Sequence, residues 1–157
     1  MARIVVKTKK KKIDEVPTGT LLVAVRLPGL PPSVNALWRH AGNRTYKPKK
    51  VHEWQEQASM CLHMSKSTRE IVHQGEACYL LLLKTQTARL MDCDNREKVL
   101  QDCLESAFVV EDDSQFRDHR TVRIVTGQPD ETVLHVWAGC TLPDQEVARI
   151  IEQERGV

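Results

Sequence analysis

One uninterrupted apolar run, ACYLLLLK at residues 77–84, restricts the possible fold of this chain more than any other feature. A strand with one face in solvent alternates apolar and polar residues, whereas a strand that is covered on both faces is apolar throughout. The run therefore predicts a strand inside a sheet, with other elements packed on both of its faces. Its extension ends at residues 92–95, where the sequence becomes polar.

Other apolar patterns predict the elements around this strand. The β-prone run TLLVAVRL at residues 20–27 predicts a core strand that ends at Pro28. Apolar residues at helical spacing predict three helices: residues 51–64, residues from Asp94 to about Phe108, and a C-terminal segment with Val147, Ile150 and Ile151. Two β-prone runs, residues 121–125 and 132–137, predict a hairpin. This order predicts an α+β fold, in which helices pack on a small mixed sheet.

Charge is divided unevenly along the chain, and this division limits what the protein binds. Residues 1–50 contain 12 Lys and Arg against 2 acidic residues, whereas residues 51–157 contain 11 against 19. A basic segment of this kind is typical of a protein that binds a polyanion such as a nucleic acid. Residues 30–50 are also rich in proline, so we expect a long functional loop there without regular structure.

Length and composition predict one domain over residues 20–157, preceded by a basic extension at residues 1–19 that is flexible or forms an edge ribbon. No apolar run approaches the length of a membrane span or a secretory signal, so we expect a cytoplasmic protein that does not engage a membrane. The five cysteines are odd in number and have no paired spacing, which predicts that most are reduced core thiols.

Four acidic residues are the candidates for chemistry. On an extended strand, residues i and i+2 point to the same side, so Asp92 and Asp94 are expected side by side. Asp112 and Asp113 follow the helix that Asp94 begins, and a helix hairpin would bring them to the same place. Adjacent carboxylates repel unless a cation lies between them, and oxygen ligands suit magnesium or manganese. Such an ion serves phosphodiester hydrolysis, and Lys98, one turn after Asp94, would stabilise transition-state charge.

The same residues also have a purely structural interpretation. Asp92 or Asp94 would cap a helix, and Lys98 would form an ordinary ion pair with a residue four positions away. The spacing of these residues does not decide between this interpretation and a metal site.

Two other metal sites are excluded by sequence. A calcium loop that started at Asp92 would need glycine at its sixth position and glutamate at its twelfth, where this chain has Glu97 and Cys103. The histidines and cysteines match no standard zinc spacing, because Cys61 and His63 are separated by one residue. Zinc and EF-hand calcium are therefore not expected.

Three motifs occur together in one order: PPSVNALWRH near the N-terminus, DCDNREK in the middle and EDDSQF after the second helix. With Asp113 lying 21 positions after Asp92, they resemble the RusA family of Holliday junction resolvases. The resemblance covers roughly residues 20–138. The chain departs from the family pattern at a few places: the extension at residues 1–19, Cys93 and Arg96 where apolar residues are usual, and Glu111.

The resemblance implies a small mixed α/β homodimer that cuts four-way DNA junctions by paired, symmetric nicks. It implies that Asp92, Asp94 and Asp113 bind magnesium, which manganese would replace, and that Lys98 is an essential lysine. Asp112 stands beside Asp113 and would share its role as a ligand, with Asp113 ranked first. A dimer also suits a substrate whose strands are related by two-fold symmetry.

The resemblance also implies that the basic segment contacts phosphates or the opened junction. The expected DNA contacts are polar or basic residues of that segment: Asn35, Arg39, His40, Arg44, Lys47, Lys49 and Lys50.

Two further functions stay open. A non-catalytic accessory protein in recombination would keep the basic segment and bind junctions or other DNA without turnover. A metal-dependent nuclease with another branched substrate or an RNA substrate would use the same carboxylates, since their chemistry at phosphorus does not depend on strand architecture.

Overall fold

The computed structural model describes residues 16–67 and 71–156. Its elements in chain order are β1 (Leu21–Pro28), a first 3-10 helix (Val34–Ala36), β2 (Arg39–Ala41), β3 (Arg44–Tyr46), α1 (Lys49–Ser65), β4 (Ala77–Thr85), α2 (Asp94–Ser106), a second 3-10 helix (Asp113–Gln115), β5 (Phe116–Val125), β6 (Glu131–Ala138) and α3 (Asp144–Arg155). Most of the basic extension predicted at residues 1–19 lies outside the described residues, and its conformation stays a prediction.

Strand β4 holds the main sheet together. The strand order is β1-β6-β4-β5, and β4 pairs in parallel with β5 and antiparallel with β6. All nine residues of β4 are buried, because elements cover both faces of the strand. The prediction of a doubly covered strand within a mixed sheet is confirmed.

The helices lie on opposite faces of this sheet, because alternate β4 residues point to opposite sides. Tyr79, Leu81 and Leu83 pack in one apolar cluster with residues of α1 and α2. Leu80 and Leu82 pack in the other cluster with residues of α3. The prediction of an α+β fold with helices packed on a small mixed sheet is therefore confirmed.

The predicted hairpin between residues 121–125 and 132–137 is wrong. Both runs are strands, but β4 lies between β5 and β6, so the two do not pair with each other. The physical reason is the sequence of β4 itself. Its two apolar faces must both be buried, and the N–H and C=O groups along its two edges must then find hydrogen-bond partners in protein, so β4 is stable only between two other strands. The β-prone pattern of a strand does not specify its neighbour.

Residues 30–50 were expected to lack regular structure, and this prediction is wrong as well. The segment contains the first 3-10 helix and a small antiparallel ribbon in which Arg39 pairs with Tyr46 and Ala41 with Arg44. Gly42 turns the ribbon in a left-handed backbone conformation, with φ of 59°, which glycine adopts without strain. All six residues of β2 and β3 are exposed, so no apolar alternation marked them in the sequence.

All five cysteines are free, as expected, with Cys78 and Cys103 buried. Within residues 16–67 and 71–156, every helix is too short or too polar to cross a membrane.

Candidate active site

Asp92 lies in the connection between β4 and α2, and not on a strand. Strand β4 ends at Thr85, so the expected side-by-side projection of Asp92 and Asp94 from extended backbone is wrong. The Asp92 carboxylate instead accepts hydrogen bonds from the backbone N–H of Asp94 at 3.1 Å and from the side-chain amide of Asn95 at 2.5 Å. The first of these bonds satisfies a backbone group that the start of α2 leaves unpaired, so Asp92 caps this helix from the position before its N-cap residue, Cys93.

Asp94 is the first residue of α2, and its side chain is exposed. Its negative charge is favourable there, because the unpaired N–H groups of a first helical turn carry partial positive charge. Within the described ranges, no group donates a hydrogen bond to the Asp94 carboxylate, so its oxygens are exposed and available to a ligand.

Lys98 lies one turn further along α2, about 6 Å from Asp94 along the helix axis. Its ammonium group donates to the Asp113 carboxylate and lies 3.0 Å from a carboxylate oxygen of Asp102. The hydrogen bond to Asp113, followed by the one to Asp102, raises the pKa of Lys98, so this side chain stays protonated at neutral pH. The ordinary i,i+4 pair expected for Lys98 is present, with Asp102 as its partner.

Asp112 and Asp113 have different surroundings although they are adjacent. The Asp112 carboxylate accepts from the backbone N–H of Ser114 at 2.8 Å and caps the second 3-10 helix. Hydrogen bonding from the Ser114 side chain, and then from its N–H, lowers the pKa of Asp112. The Gln115 side chain completes the cap by accepting from the Asp112 N–H at 2.8 Å. The Asp113 carboxylate points towards Lys98 instead, and its N–H donates to Glu105 at 2.8 Å.

The carboxylates that gather around Asp113 differ from the set predicted by resemblance. Ligand atoms of Asp102, Glu105 and Asp113 lie within 4.8 Å of one another, and in the described part of the chain this is the only such group of three. Asp92, Asp94 and Asp113 therefore do not form such a group together, and along α2 Lys98 lies between Asp94 and Asp102. Carboxylate oxygens are the donors that a small divalent cation prefers, so the chemistry of either set fits such an ion.

Sequence reasoning missed Asp102 and Glu105, although a signal for them existed. They lie four and seven residues after Lys98 on α2, which places all three on one helical face. Only the position of Asp113, which depends on where β5 enters the sheet, makes this face part of a candidate site.

Sequence reasoning also missed Glu97, a buried carboxylate behind the exposed acidic face. It accepts hydrogen bonds from the Tyr79 hydroxyl at 2.7 Å and from the Thr121 hydroxyl, and it lies 3.2 Å from His119. Burial, and then the hydrogen bond to Glu97, raise the pKa of Tyr79, which keeps this hydroxyl protonated as a donor. These bonds fix the turn of α2 between Asp94 and Lys98 against β4 and β5.

The basic segment lies beside α2. The first 3-10 helix contacts α2, and the Arg96 guanidinium donates to the carbonyl oxygen of Pro31. Burial lowers the pKa of Arg96. The hydrogen bond from its guanidinium to Pro31 joins the basic segment to α2. The segment that was expected to bind DNA is thus adjacent to the candidate catalytic helix.

The seven predicted DNA contacts are mostly accessible. Asn35, Arg39, Arg44 and Lys50 are exposed. The others have protein contacts: His40 with the Thr45 hydroxyl at 3.0 Å, Lys47 with Gln55 at 2.7 Å and with the Trp38 ring at 5.4 Å, and Lys49 with Glu53 at 3.5 Å.

Comparison with known proteins identifies the kind of protein that this arrangement belongs to. Residues 28–136 match the family described as "Endodeoxyribonuclease RusA", which makes the chain an endodeoxyribonuclease by class. A relative from Enterobacteria phage HK97, named "Crossover junction endodeoxyribonuclease rusA", is 30% identical over 93 residues, or 59% of this chain and 76% of the relative. The chain belongs to the RusA family, and the resemblance carried by its three motifs is confirmed.

Proposed function

We propose that this chain resolves four-way DNA junctions by paired symmetric nicks, using a carboxylate-bound magnesium ion that manganese can replace. The observation that carries the proposal is the contact between Lys98 and Asp113, which places a protonated amine among carboxylates on an exposed face. Membership of an endodeoxyribonuclease family supports hydrolysis of DNA, and the phage relative is named for crossover junctions.

Asp92, Asp94 and Asp113 are the proposed ligands, with Asp112 as a secondary one. Asp94 offers the least engaged carboxylate of the four, and Asp113 is turned towards the same helix by Lys98. When bound there, magnesium supplies Lewis-acid stabilisation of charge on the scissile phosphate. Lys98 supplies a second positive charge, and its raised pKa keeps that charge in place over the neutral range.

The basic segment is the proposed DNA-binding surface, through the seven residues that the sequence identified. The first 3-10 helix of this segment contacts α2, which carries Asp94, and the exposed cations Arg39 and Arg44 follow that 3-10 helix in the chain. Phosphate contacts of this kind fix the position of a duplex without reading its sequence.

We propose a homodimer because a junction has two equivalent strands, and two sites related by two-fold symmetry place two matched nicks. A DNA substrate also fits the predicted cytoplasmic location, which stays a prediction.

The test compares cleavage of a synthetic four-way junction by the wild type and by Asp94→Asn, with magnesium, with manganese and with EDTA. The matched control is Asp144→Asn, because Asp144 begins α3 as Asp94 begins α2 but lies on the other side of the sheet. We expect paired nicks in the wild type and the control, and none in Asp94→Asn or in EDTA. Asp102→Asn distinguishes the two carboxylate sets, and we expect it to retain cleavage.

Other outcomes favour the alternative functions. Tight junction binding without cutting by the wild type would indicate an accessory DNA-binding protein. Faster cutting of flaps or of RNA than of junctions would assign the same carboxylates to a nuclease with another substrate.

A further inference from the structure

Leu90 is a fully exposed apolar side chain that lies two residues before Asp92. Its relative exposure is 101%, the largest among the large apolar residues in the described part of the chain. It belongs to the connection of residues 86–93 between β4 and α2. A leucine in water contributes nothing to the fold through burial, and a single exposed leucine is common on protein surfaces. What it does therefore depends on how it is held and on what lies beside it.

The residues before Leu90 are bonded to neighbouring segments. Arg123 of β5 donates to the carbonyl oxygen of Thr87 at 3.0 Å. Arg89 donates at 2.8 Å to the carboxylate of Asp130, the residue that directly precedes β6. These bonds hold the connection immediately before Leu90.

The two residues after Leu90 are held as well. Met91 is partly buried and packs against the apolar cluster that contains residues of α1 and α2. Asp92 caps α2 by accepting from the backbone N–H of Asp94 at 3.1 Å. Leu90 thus projects into solvent from a connection that is held on both sides, so little conformational entropy is lost when a ligand binds there.

The connection also adjoins the basic segment of residues 30–50. Asp130, which holds the connection through its carboxylate, accepts at 2.9 Å from the backbone N–H of Gly29 through its carbonyl oxygen. Gly29 directly precedes the basic segment, and Arg96 of α2 bonds to Pro31 within it. The connection, the start of α2 and the start of the basic segment therefore lie next to one another.

Leu90 is close to the phosphate that the proposed site would cut. Two residues separate it from Asp92, so the Cα atoms of the two are at most about 7 Å apart. That distance equals about two steps along a DNA strand, at about 3.4 Å per step. A DNA strand whose phosphate lies at Asp92 and Asp94 therefore brings its neighbouring bases within reach of the Leu90 side chain.

We propose that Leu90 is a wedge residue, which inserts between two neighbouring bases at the crossover of the bound junction and keeps them unstacked beside the bond that is cut. The substrate in this inference rests on the proposed function. Leucine is among the apolar side chains that DNA-binding proteins insert between base steps. Burial of its apolar surface against the bases offsets part of the cost of unstacking them. The alternative is that Leu90 contacts a second copy of the chain, and it predicts different results.

The test compares Leu90→Ala and Leu90→Met of the full chain with the wild type. Methionine keeps a large apolar side chain, so Leu90→Met should behave as the wild type does. The control is Met64→Ala, because Met64 is also an exposed apolar residue, at 72%, but lines a groove beside β1.

Two measurements are made with a synthetic four-way junction. The first, in EDTA, is the fluorescence of 2-aminopurine at the crossover, which rises when this base is unstacked. The second is the rate of single-turnover cleavage with magnesium, for a fully paired junction and for one with mismatched pairs at the crossover. Mismatched bases are easier to unstack, so the second junction has less need of a wedge.

We expect Leu90→Ala to lose most of the fluorescence rise and to cut the fully paired junction about tenfold more slowly. Mismatches at the crossover should restore its rate, and Met64→Ala should match the wild type throughout. The slope of log affinity against log salt should not change, because leucine neutralises no phosphate.

Three outcomes would overturn the proposal. One is equal fluorescence and equal cleavage rates for Leu90→Ala and the wild type. Another is slow cleavage by Leu90→Ala that mismatches do not restore. The third is dissociation of Leu90→Ala into monomers in sedimentation experiments where the wild type is a dimer, which would assign Leu90 to an interface between copies.

Failure of the proposed function is separately visible. If the wild type unstacks the crossover in EDTA but does not cut with magnesium, junction resolution is wrong, and loss of unstacking in Leu90→Ala still supports the wedge. If the wild type cuts junctions without a fluorescence rise, the wedge is wrong and resolution stands. If the wild type binds no DNA at all, both proposals are wrong.

Discussion

The ammonium group of Lys98, in the first half of α2, donates a hydrogen bond to the carboxylate of Asp113, at the start of the 3-10 helix that precedes β5. The Lys98 side chain is 52% exposed, so solvent screens the pair and its contribution to stability is small. Its importance is positional, because it joins the two segments that carry the family's acidic motifs.

Replacement of Lys98 by methionine should reduce the cleavage rate by roughly 10² to 10³, as expected when one charge-stabilising group is removed. Junction affinity should change little, because the positive charge acts on the transition state more than on the bound substrate. Single-turnover cleavage and binding in EDTA measure the two effects. Arg149→Met, which removes an exposed cation from α3, should leave both unchanged, and a Lys98→Met variant that cuts at the wild-type rate would exclude a catalytic role for Lys98.

Asparagine substitutions separate the roles of Asp112 and Asp113. Asparagine caps a helix about as well as aspartate but is a poorer metal ligand, so Asp112→Asn should retain its cap and most of the activity. Asp113→Asn should lose at least about a hundredfold in magnesium-dependent cleavage, by the scale of charge-stabilising groups. Asp112→Ala should lower the melting temperature, which reports the capping bond to Ser114. Equal loss of activity in both asparagine variants would indicate that the two carboxylates share one ion.

Tyr79→Phe should lower the free energy of unfolding by roughly 1–2 kcal/mol, because Glu97 is buried and loses one of its donors. The only other tyrosine, Tyr46, is 49% exposed, and Tyr46→Phe should change that free energy by less than about 0.5 kcal/mol. Urea unfolding at neutral pH measures both variants. Equal stability of the two variants would show that the hydroxyl of Tyr79 does not support the fold through Glu97.

Acid should destabilise the fold through Glu154, on the face of the sheet opposite to the site. Burial would raise the pKa of Glu154, but hydrogen bonds from Lys84 at 2.8 Å and from Arg26 outweigh it and hold this pKa below its ordinary value of 4.5. A lowered pKa contributes stability that is fully present above pH 4.5 and is lost as pH falls through the lowered value.

Glu154→Gln should therefore be less stable than the wild type near neutral pH and should lose less stability on acidification. Glu152→Gln, an exposed position of the same helix, should follow the wild-type pH dependence. Urea unfolding between about pH 3 and pH 7 measures the difference, in the range where carboxylates titrate. Parallel pH curves for wild type and Glu154→Gln would contradict this assignment.

Much of the fold was determined by local patterns in the sequence. The apolar run of β4 requires cover on both faces, and the 3.6-residue stripes through Leu100 and Ile151 each specify one buried helix face. The motif residues Asp92, Asp94, Lys98 and Asp113 were also recognisable, because their spacing along the chain is itself the signal of the family.

Only the tertiary structure decided how distant segments meet. The sequence did not show that β4 separates β5 from β6, because β propensity describes how a residue suits a strand and not which strand lies beside it. For the same reason it did not reveal the bonds from Thr121 to Glu97 or from Lys98 to Asp113, whose partners are 24 and 15 residues apart. Strand order is fixed by the burial of both faces of β4, a property of the whole sheet that no single segment contains.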